Sequence, residues 1–152
     1  GNIKVKKKLV GILGKDGFKV INFLGMGVKN TIELPNNFTF ENYLWVHKKI
    51  DLLITDRFHG SIIAMKVKFC PIIFIETNNQ KNSKGRDLFK RLEAQKIIFT
   101  AEESEKLNAA DLHFCMDYWR NSKTRILKNL IQLKYIGYKN LEIIRNIIFE
   151  ND

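Results

Sequence analysis

Short apolar runs alternate along this chain with segments in which apolar residues recur at helical spacing. The runs are rich in β-branched and aromatic residues, which predicts buried parallel strands near residues 18–24, 51–55, 72–75 and 97–99. A shorter extended segment is predicted over 31–34, after a turn at 25–27. The helical spacing predicts helices over residues 3–13, 40–49, 60–67, 84–93, 101–111 and 114–149, the last of them broken at Gly137. This alternation is typical of an α/β domain built on a parallel sheet.

The most informative side chains follow the second predicted strand. Arg57 and His59 come directly after its apolar run, and a helix is predicted to start near Gly60-Ser61. Ligands of open α/β sheets bind at the carboxyl ends of strands, and the unpaired N–H groups of a helix start favour an anion. Arginine adds donors matched to phosphate or carboxylate, and histidine can give or take a proton near neutral pH. We therefore predict an anion site with acid–base capacity; the alternative is that Arg57 forms a structural ion pair with Asp56 or Asp51.

A second group of polar side chains follows the third predicted strand. Lys81, Ser83 and Lys84 lie in or just after a polar loop, and Arg86 lies one turn inside the next helix, which Ser83 is expected to cap. Two loops that carry cations at neighbouring strand ends would form a cleft suited to a small polyanion. The alternative is a solvated loop without a ligand.

Three segments carry a resemblance to a known family. They are Thr55-Asp56-Arg57-Phe58-His59-Gly60, the apolar strand Pro71–Ile75, and the loop from Asn79 to Lys84 that leads into a helix. In this order they resemble the polysaccharide pyruvyl transferase family, in which an Arg-x-His-Gly element follows a strand, and a proline-led strand and a Ser/Lys loop come next. The sequence departs from the family pattern at Cys70-Pro71, where many relatives have Lys-Pro. The resemblance covers about residues 40–95.

The resemblance implies a fold and a place in a larger protein. It implies a Rossmann-like, three-layer parallel sheet with C-terminal helices, similar to the C-terminal half of a glycosyltransferase-B-like fold. Residues 1–152 would form one domain of a longer two-domain enzyme. The missing N-terminal domain would supply the other wall of the cleft, so the domain by itself is expected to turn over poorly.

The resemblance also implies an activity. The enzyme would move the pyruvyl group of phosphoenolpyruvate onto a sugar of a cell-surface polysaccharide or its precursor, with a sugar or lipid-linked saccharide as acceptor and without cofactor or metal. His59 and Arg57 would be the catalytic residues. The substrate would be held by Arg57, Gly60, Ser61, Ser83 and Lys84.

The composition limits the partners and the compartment. A formal net charge of +10 over 152 residues suits nucleic acid, anionic membranes or phosphorylated substrates. We expect no nucleic-acid partner, because no recognisable nucleic-acid-binding motif accompanies the lysines. The two cysteines, Cys70 and Cys115, form no disulfide framework, which favours a reduced, cytoplasmic compartment. The charge leaves room for peripheral association with the inner face of the membrane.

Two other functional classes are compatible with the same strand ends. A glycosyltransferase domain that binds a nucleotide-sugar would need an acidic pair for the ribose after Ile75, where Glu76 stands alone. A non-catalytic basic interaction domain would tolerate alanine at both Arg57 and His59.

Two further sets of side chains are interpreted as structural. Asp111, His113 and Cys115 would align as metal ligands on a strand, but they point apart on a helix, and we predict no metal site. His47 lies in a lysine-rich helix and is expected at the surface.

Overall fold

A computed structural model describes residues 3–23, 29–34, 37–76 and 83–149 of the chain, with side chains as far as Leu141. Helices and parallel strands alternate through these residues, which confirms the predicted α/β class. The elements are α1 Ile3–Lys15, β1 Ile21–Asn22, β2 Ile32–Glu33, α2 Phe40–Lys49, β3 Leu53–Thr55, α3 Phe58–Val67, β4 Ile72–Glu76, α4 Lys84–Arg91, β5 Ile98–Thr100, α5 Ala101–Lys106, α6 Ala109–Asn121 and α7 Lys123–Phe149.

The main sheet is parallel and has the order β3-β4-β5. The central strand β4 is buried at Ile72, Ile73 and Phe74, so both of its faces are covered. An apolar run without alternation is typical of such doubly covered parallel strands. The predicted strands over 51–55, 72–75 and 97–99 are therefore confirmed within two residues at each end.

The first strand departs from the prediction. Only Ile21–Asn22 of the predicted strand 18–24 pairs within the described residues, and its partner is β2 in a separate two-stranded parallel sheet. The prediction that 18–24 joins the main sheet was wrong, because Ile21 and Asn22 pair with β2 and not with the edge of β3. The extended segment predicted at 31–34 is confirmed as β2, and the turn predicted at 25–27 lies outside the described residues.

Several helix boundaries also differ from prediction. The segment 101–111 is two helices, because Asn108 and Asp111 form a reciprocal capping box that starts α6. The break in the long C-terminal segment lies at Ser122, not at Gly137. Gly137 is exposed inside α7, where a glycine lowers helix propensity without ending the helix.

Helix caps were predicted more accurately. The side chain of Thr39 accepts a hydrogen bond from the N–H of Asn42 and caps α2, and Ser83 caps α4 in the same way through the N–H of Arg86. Among the described residues, no helix combines the length and the hydropathy that crossing a bilayer requires.

Helix α4 approaches the sheet unusually closely. Gly85, in its first turn, is buried over the ring of Phe74, and a Cβ atom at this position would overlap the ring carbons. The same ring contacts Phe89 one turn later, with centroids 5.4 Å apart. The distance between α4 and β4 therefore depends on the missing side chain of Gly85.

We expect Gly85→Ala to destabilise the fold by about 1–3 kcal/mol, because the added methyl group must displace a buried aromatic ring. The free energy of unfolding from urea denaturation measures the effect. The matched control is Gly137→Ala, which meets no atom within 4 Å and should stabilise α7 by about 0.5–1 kcal/mol. Equal stability of the two variants would contradict the steric argument.

Candidate functional site

The carboxyl edge of the main sheet brings three helix starts together. Strands β3, β4 and β5 end at Thr55, Glu76 and Thr100, and each is followed by a helix. Because the strands are parallel, these ends lie on one edge, the usual ligand side of an open α/β sheet. The edge therefore contains the starts of α3, α4 and α5.

Two of these helix starts are closed by protein side chains. At the start of α4, the Ser83 hydroxyl accepts a hydrogen bond from the N–H of Arg86. At the start of α5, the Thr100 hydroxyl accepts a hydrogen bond from the N–H of Glu103, and the Glu103 carboxylate accepts one from the N–H of Thr100. These caps satisfy helix-start N–H groups that would otherwise be free to bind an anion.

The start of α3 is different. Its N-cap residue is Arg57, which provides no side-chain cap, and its first turn has no acidic residue. The Thr55 hydroxyl accepts the N–H of Arg57 at 3.0 Å, which shapes the turn but leaves the helical N–H groups unsatisfied. The helix begins at Phe58, so the predicted start near Gly60-Ser61 was too late by about half a turn.

Arg57 is held only loosely by other charges. Its Nε lies 3.6 Å from Asp56 Oδ1, a long contact, and its side chain is 71% exposed. Asp51 pairs with Lys68 at 3.1 Å, so it is not the partner of Arg57. The alternative ion pair with Asp56 thus exists in a weak form, which surface exposure limits to a small contribution to stability.

The other predicted residues of this segment differ in their accessibility. His59 is exposed in the first turn of α3, its ring 5.4 Å from that of Phe58, and it has no hydrogen bond or ion pair to another described residue. Side chains in a first turn lean toward the helix start, so His59 and Arg57 share one end of α3. Gly60 and Ser61 are buried, and the Ser61 hydroxyl donates to the Arg57 carbonyl at 3.3 Å.

A buried charge network occupies the neighbouring strand end. Glu76 extends the face of β4 that packs on α4, and its side chain is 6% exposed. Its carboxylate accepts hydrogen bonds from the Ser83 hydroxyl and from Nε and Nη2 of Arg86, with Nε 2.9 Å from Oε2. The hydrogen bonds from Arg86 hold the pKa of the Glu76 carboxyl below its ordinary value, although burial acts in the opposite direction.

This network changes the cationic cleft that the sequence suggested. Arg86 and the Ser83 hydroxyl are both engaged with Glu76, whereas Lys84 is exposed and has no ion pair to a described residue. Lys81 lies outside the described residues. The described cations at this edge without a close ion pair are therefore Arg57, which has only the long contact to Asp56, and Lys84; they lie at the starts of two helices that follow adjacent strands.

Sequence reasoning missed Tyr43. Its hydroxyl lies 3.4 Å from the place a Cβ on Gly60 would occupy, which puts the Tyr43 hydroxyl beside the α3 start at ordinary contact distance. Burial raises the pKa of Tyr43, and the positive charge of Arg57 opposes this rise. Tyr43 is thus a third polar group beside the start of α3.

His47 contacts Tyr43 from the next turn of α2. The prediction that His47 lies at the surface was wrong. The residue is fully buried, its Nδ1–H donates to the Tyr43 carbonyl at 2.9 Å, and the two rings are in contact with centroids 4.2 Å apart and planes tilted by 48°. Burial lowers the pKa of His47. The four-residue spacing that places Tyr43 and His47 on one face of α2 was the signal available in the sequence.

A cavity of about 1040 Å³ opens between α1, the β1–β2 pair and the unpaired edge of β3. Apolar side chains of α1, of residues 18–23 and of residues 50–54 form much of its wall, and Thr55, Asp56, Arg57 and Tyr43 also line it. Among the described residues predicted for the site, Arg57 is on this wall, whereas His59, Gly60, Ser61, Ser83 and Lys84 are not.

No protein-family model, no curated protein and no solved structure matches the chain. The resemblance to polysaccharide pyruvyl transferases therefore remains a prediction.

The three residues considered as metal ligands have separate partners. Asp111 caps its own helix, His113 Nε2 lies 3.0 Å from Asp16 Oδ2, and Cys115 is buried, which raises its pKa to about 11. The described residues contain no group of three or more histidine, cysteine, aspartate or glutamate side chains placed to hold a metal ion.

The Glu76 network makes stability depend on pH. Because the folded-state pKa lies below the ordinary 4.5, the ionised carboxylate stabilises the fold above that value and loses this effect as the pH falls through the folded-state pKa. We expect Glu76→Gln to cost about 1.5–3 kcal/mol at pH 7. The lower end applies because the Arg86 side chain is 41% exposed and solvent screens its charge.

Urea denaturation of wild type and Glu76→Gln across pH 7 to pH 3 measures this dependence. The difference in stability should shrink below pH 4.5, the ordinary carboxyl value. The exposed Glu102→Gln is the control and should change stability by less than about 0.5 kcal/mol at every pH. A difference that stays constant with pH would mean that Glu76 acts through packing and not through charge.

Proposed function

We propose that this chain is the donor-binding domain of a transferase that moves the pyruvyl group of phosphoenolpyruvate onto a sugar. The observation that carries the proposal is the start of α3, where an uncapped helix, an arginine with only a weak partner and an unbonded histidine stand at one strand end. Phosphoenolpyruvate has a phosphate and a carboxylate beside a carbon that must be protonated. A phosphate- or carboxylate-binding helix start with a proton donor meets both requirements.

The donor would bind across the starts of α3 and α4. The N–H groups of Phe58, His59 and Gly60, which no described side chain caps, would donate hydrogen bonds to one anionic group, and the guanidinium of Arg57 would provide a forked second contact. Lys84, exposed at the start of α4, would neutralise the other anionic group. Gly60 permits the close approach, while Ser61 and Ser83 hold the local backbone through hydrogen bonds within the protein.

The proposed reaction bonds two sugar hydroxyl oxygens to C2 of phosphoenolpyruvate. His59 gives its proton to the methylene carbon, and C2 becomes cationic and is attacked by the first hydroxyl. The bond from C2 to the phosphate oxygen then breaks, and a second hydroxyl closes the cyclic ketal. Arg57 and the helix start stabilise the charge of the departing phosphate, and the hydroxyl protons leave through His59 or phosphate.

The proposal includes the finer fold and the acceptor. We infer a Rossmann-like, three-layer domain similar to the C-terminal half of a glycosyltransferase-B-like enzyme, with both faces of β4 covered as such a domain requires. A second domain would face the carboxyl edge of the sheet and contribute contacts to the saccharide acceptor.

The geometry of Glu76 is unfavourable for the nucleotide-sugar alternative. A ribose-binding carboxylate needs free oxygens, but those of Glu76 accept hydrogen bonds from Ser83 and Arg86. The carboxylate would have to break a buried network in order to bind a ribose. Donor binding at the α3 start requires no such rearrangement.

The binding role of Arg57 can be tested by titration calorimetry with phosphoenolpyruvate. We expect Arg57→Ala to weaken binding by about 1.5–3 kcal/mol, the usual effect of losing one charged partner of an anion. Binding should also weaken with added salt. Arg91→Ala is the control, because Arg91 is exposed at the far end of α4 and pairs with Asp87. Tight binding of a uridine-diphosphate sugar without binding of phosphoenolpyruvate would favour the glycosyltransferase alternative.

The catalytic role of His59 predicts a different pattern. In the active enzyme, His59→Gln should lower kcat by roughly 10²–10⁴-fold, the usual contribution of a positioned proton donor. Donor affinity should change less than in Arg57→Ala, because the histidine acts mainly in the transition state. His113→Gln, at an exposed histidine of α6, should leave kcat unchanged. Normal turnover with weaker donor binding in His59→Gln would make His59 a binding residue only.

A further inference from the structure

Residues 134–141 of α7 have no packing partner among the side chains that the structure describes. The helix spans 27 residues, which is about 40 Å, and of its side chains as far as Leu141 those that pack on the hydrophobic core are Ile126, Leu130 and Leu133. From Lys134 to Leu141 every side chain is exposed. This segment nevertheless contains most of the large apolar side chains that α7 exposes between Lys123 and Leu141.

Four of these side chains form what we call the α7 outer face: Ile131, Tyr135, Tyr138 and Leu141. They are 61% to 67% exposed. Their spacings of four, three and three residues place them on one side of the helix. A continuous exposed apolar stripe of this kind marks an interaction surface more often than isolated apolar residues do.

The charges of α7 are mostly positive, with six lysines and arginines against one acidic residue, Glu142, which directly follows Leu141. Lys128, Lys134 and Lys139 each lie three or four positions from one of its members, and Lys134 Nζ is 5.5 Å from the centre of the Tyr138 ring. No acidic residue occurs between Lys123 and Leu141. A second copy of α7 would therefore bring two helices with an excess of positive charge together, whereas an anionic surface would complement that excess.

We propose that the α7 outer face docks on an anionic lipid bilayer, with the helix lying in the plane of the headgroups. Isoleucine and leucine would enter the acyl boundary, and the two tyrosines would place their rings there with their hydroxyls in the headgroup layer. The lysine stems would extend along the helix while their ammonium groups contact lipid phosphates. This proposal is independent of the reaction at α3.

Flotation of the full chain with vesicles tests the proposal. We expect binding to phosphatidylcholine vesicles that contain phosphatidylglycerol, weakening with salt, and at least about tenfold weaker binding to phosphatidylcholine alone. Amide hydrogen exchange of wild type should slow across residues 131–141 when the anionic vesicles are added. Protection elsewhere but not in α7, or equal binding to both vesicles, would overturn the proposal.

Matched variants separate the face from general charge and hydrophobicity. Lys134→Glu with Lys139→Glu should weaken vesicle binding at least about tenfold. Lys48→Glu with Lys90→Glu changes the net charge equally at exposed sites of α2 and α4 and should have a much smaller effect. Ile131→Gln with Tyr135→Gln should also weaken binding, whereas Trp45→Gln, which removes an aromatic ring 61% exposed on α2, should not. The proposal would be overturned if the two charge-reversal variants lost vesicle binding equally, or if the apolar replacements in α7 and at Trp45 did.

The oligomeric state gives an independent result. Analytical ultracentrifugation should find the same association state for wild type and for Ile131→Gln with Tyr135→Gln. A wild-type dimer that this double variant dissociates would mean that a second copy covers the face, and the lipid proposal would be wrong.

Discussion

The contact between β4 and α4 is the constraint on which the carboxyl edge of the sheet depends. Gly85 lets the helix backbone reach the Phe74 ring, and Glu76, two residues further along the same face of β4, then meets Ser83 and Arg86 at the helix start. A buried carboxylate is stable there because both of its oxygens accept hydrogen bonds, and one donor is a cation. Close packing and charge pairing thus fix α4 relative to the sheet at the same point.

The three helix starts at this edge differ in one respect that matters for function. The starts of α4 and α5 are closed by their own side chains, whereas that of α3 is not. An absent side-chain cap typically costs about 1 kcal/mol of stability. A binding site commonly retains such a cost, because donors that the protein satisfies cannot bind a ligand.

The positive charge of the chain has more than one structural setting. Arg86 is neutralised by a buried partner, Arg57 has only a long contact, and Lys134 and Lys139 of α7 lie among exposed apolar side chains. The net charge of +10 describes none of these settings by itself. A charge count indicates that anions are attracted, but burial and pairing decide which cations can bind them.

The sequence by itself determined the features that depend on local chemistry. The apolar runs specified β3, β4 and β5, and Thr39 and Ser83 specified where α2 and α4 begin, because a strand's burial pattern and a helix cap are written within a few residues. It also placed Arg57 and His59 at a strand end.

Tertiary structure decided the strand pairing, the burial of His47 and the ion pairing of Arg86, because these depend on contacts between distant segments. The run at 18–24 looked like a main-sheet strand, but its pairing with β2 is a choice of neighbour that no local pattern encodes. His47 looked solvated among lysines and is buried through Phe23 and Tyr43. Arg86 looked like a ligand-binding cation until Glu76, ten positions earlier, was found to hold it. Partners such as these become neighbours only when the sheet and its helices pack together.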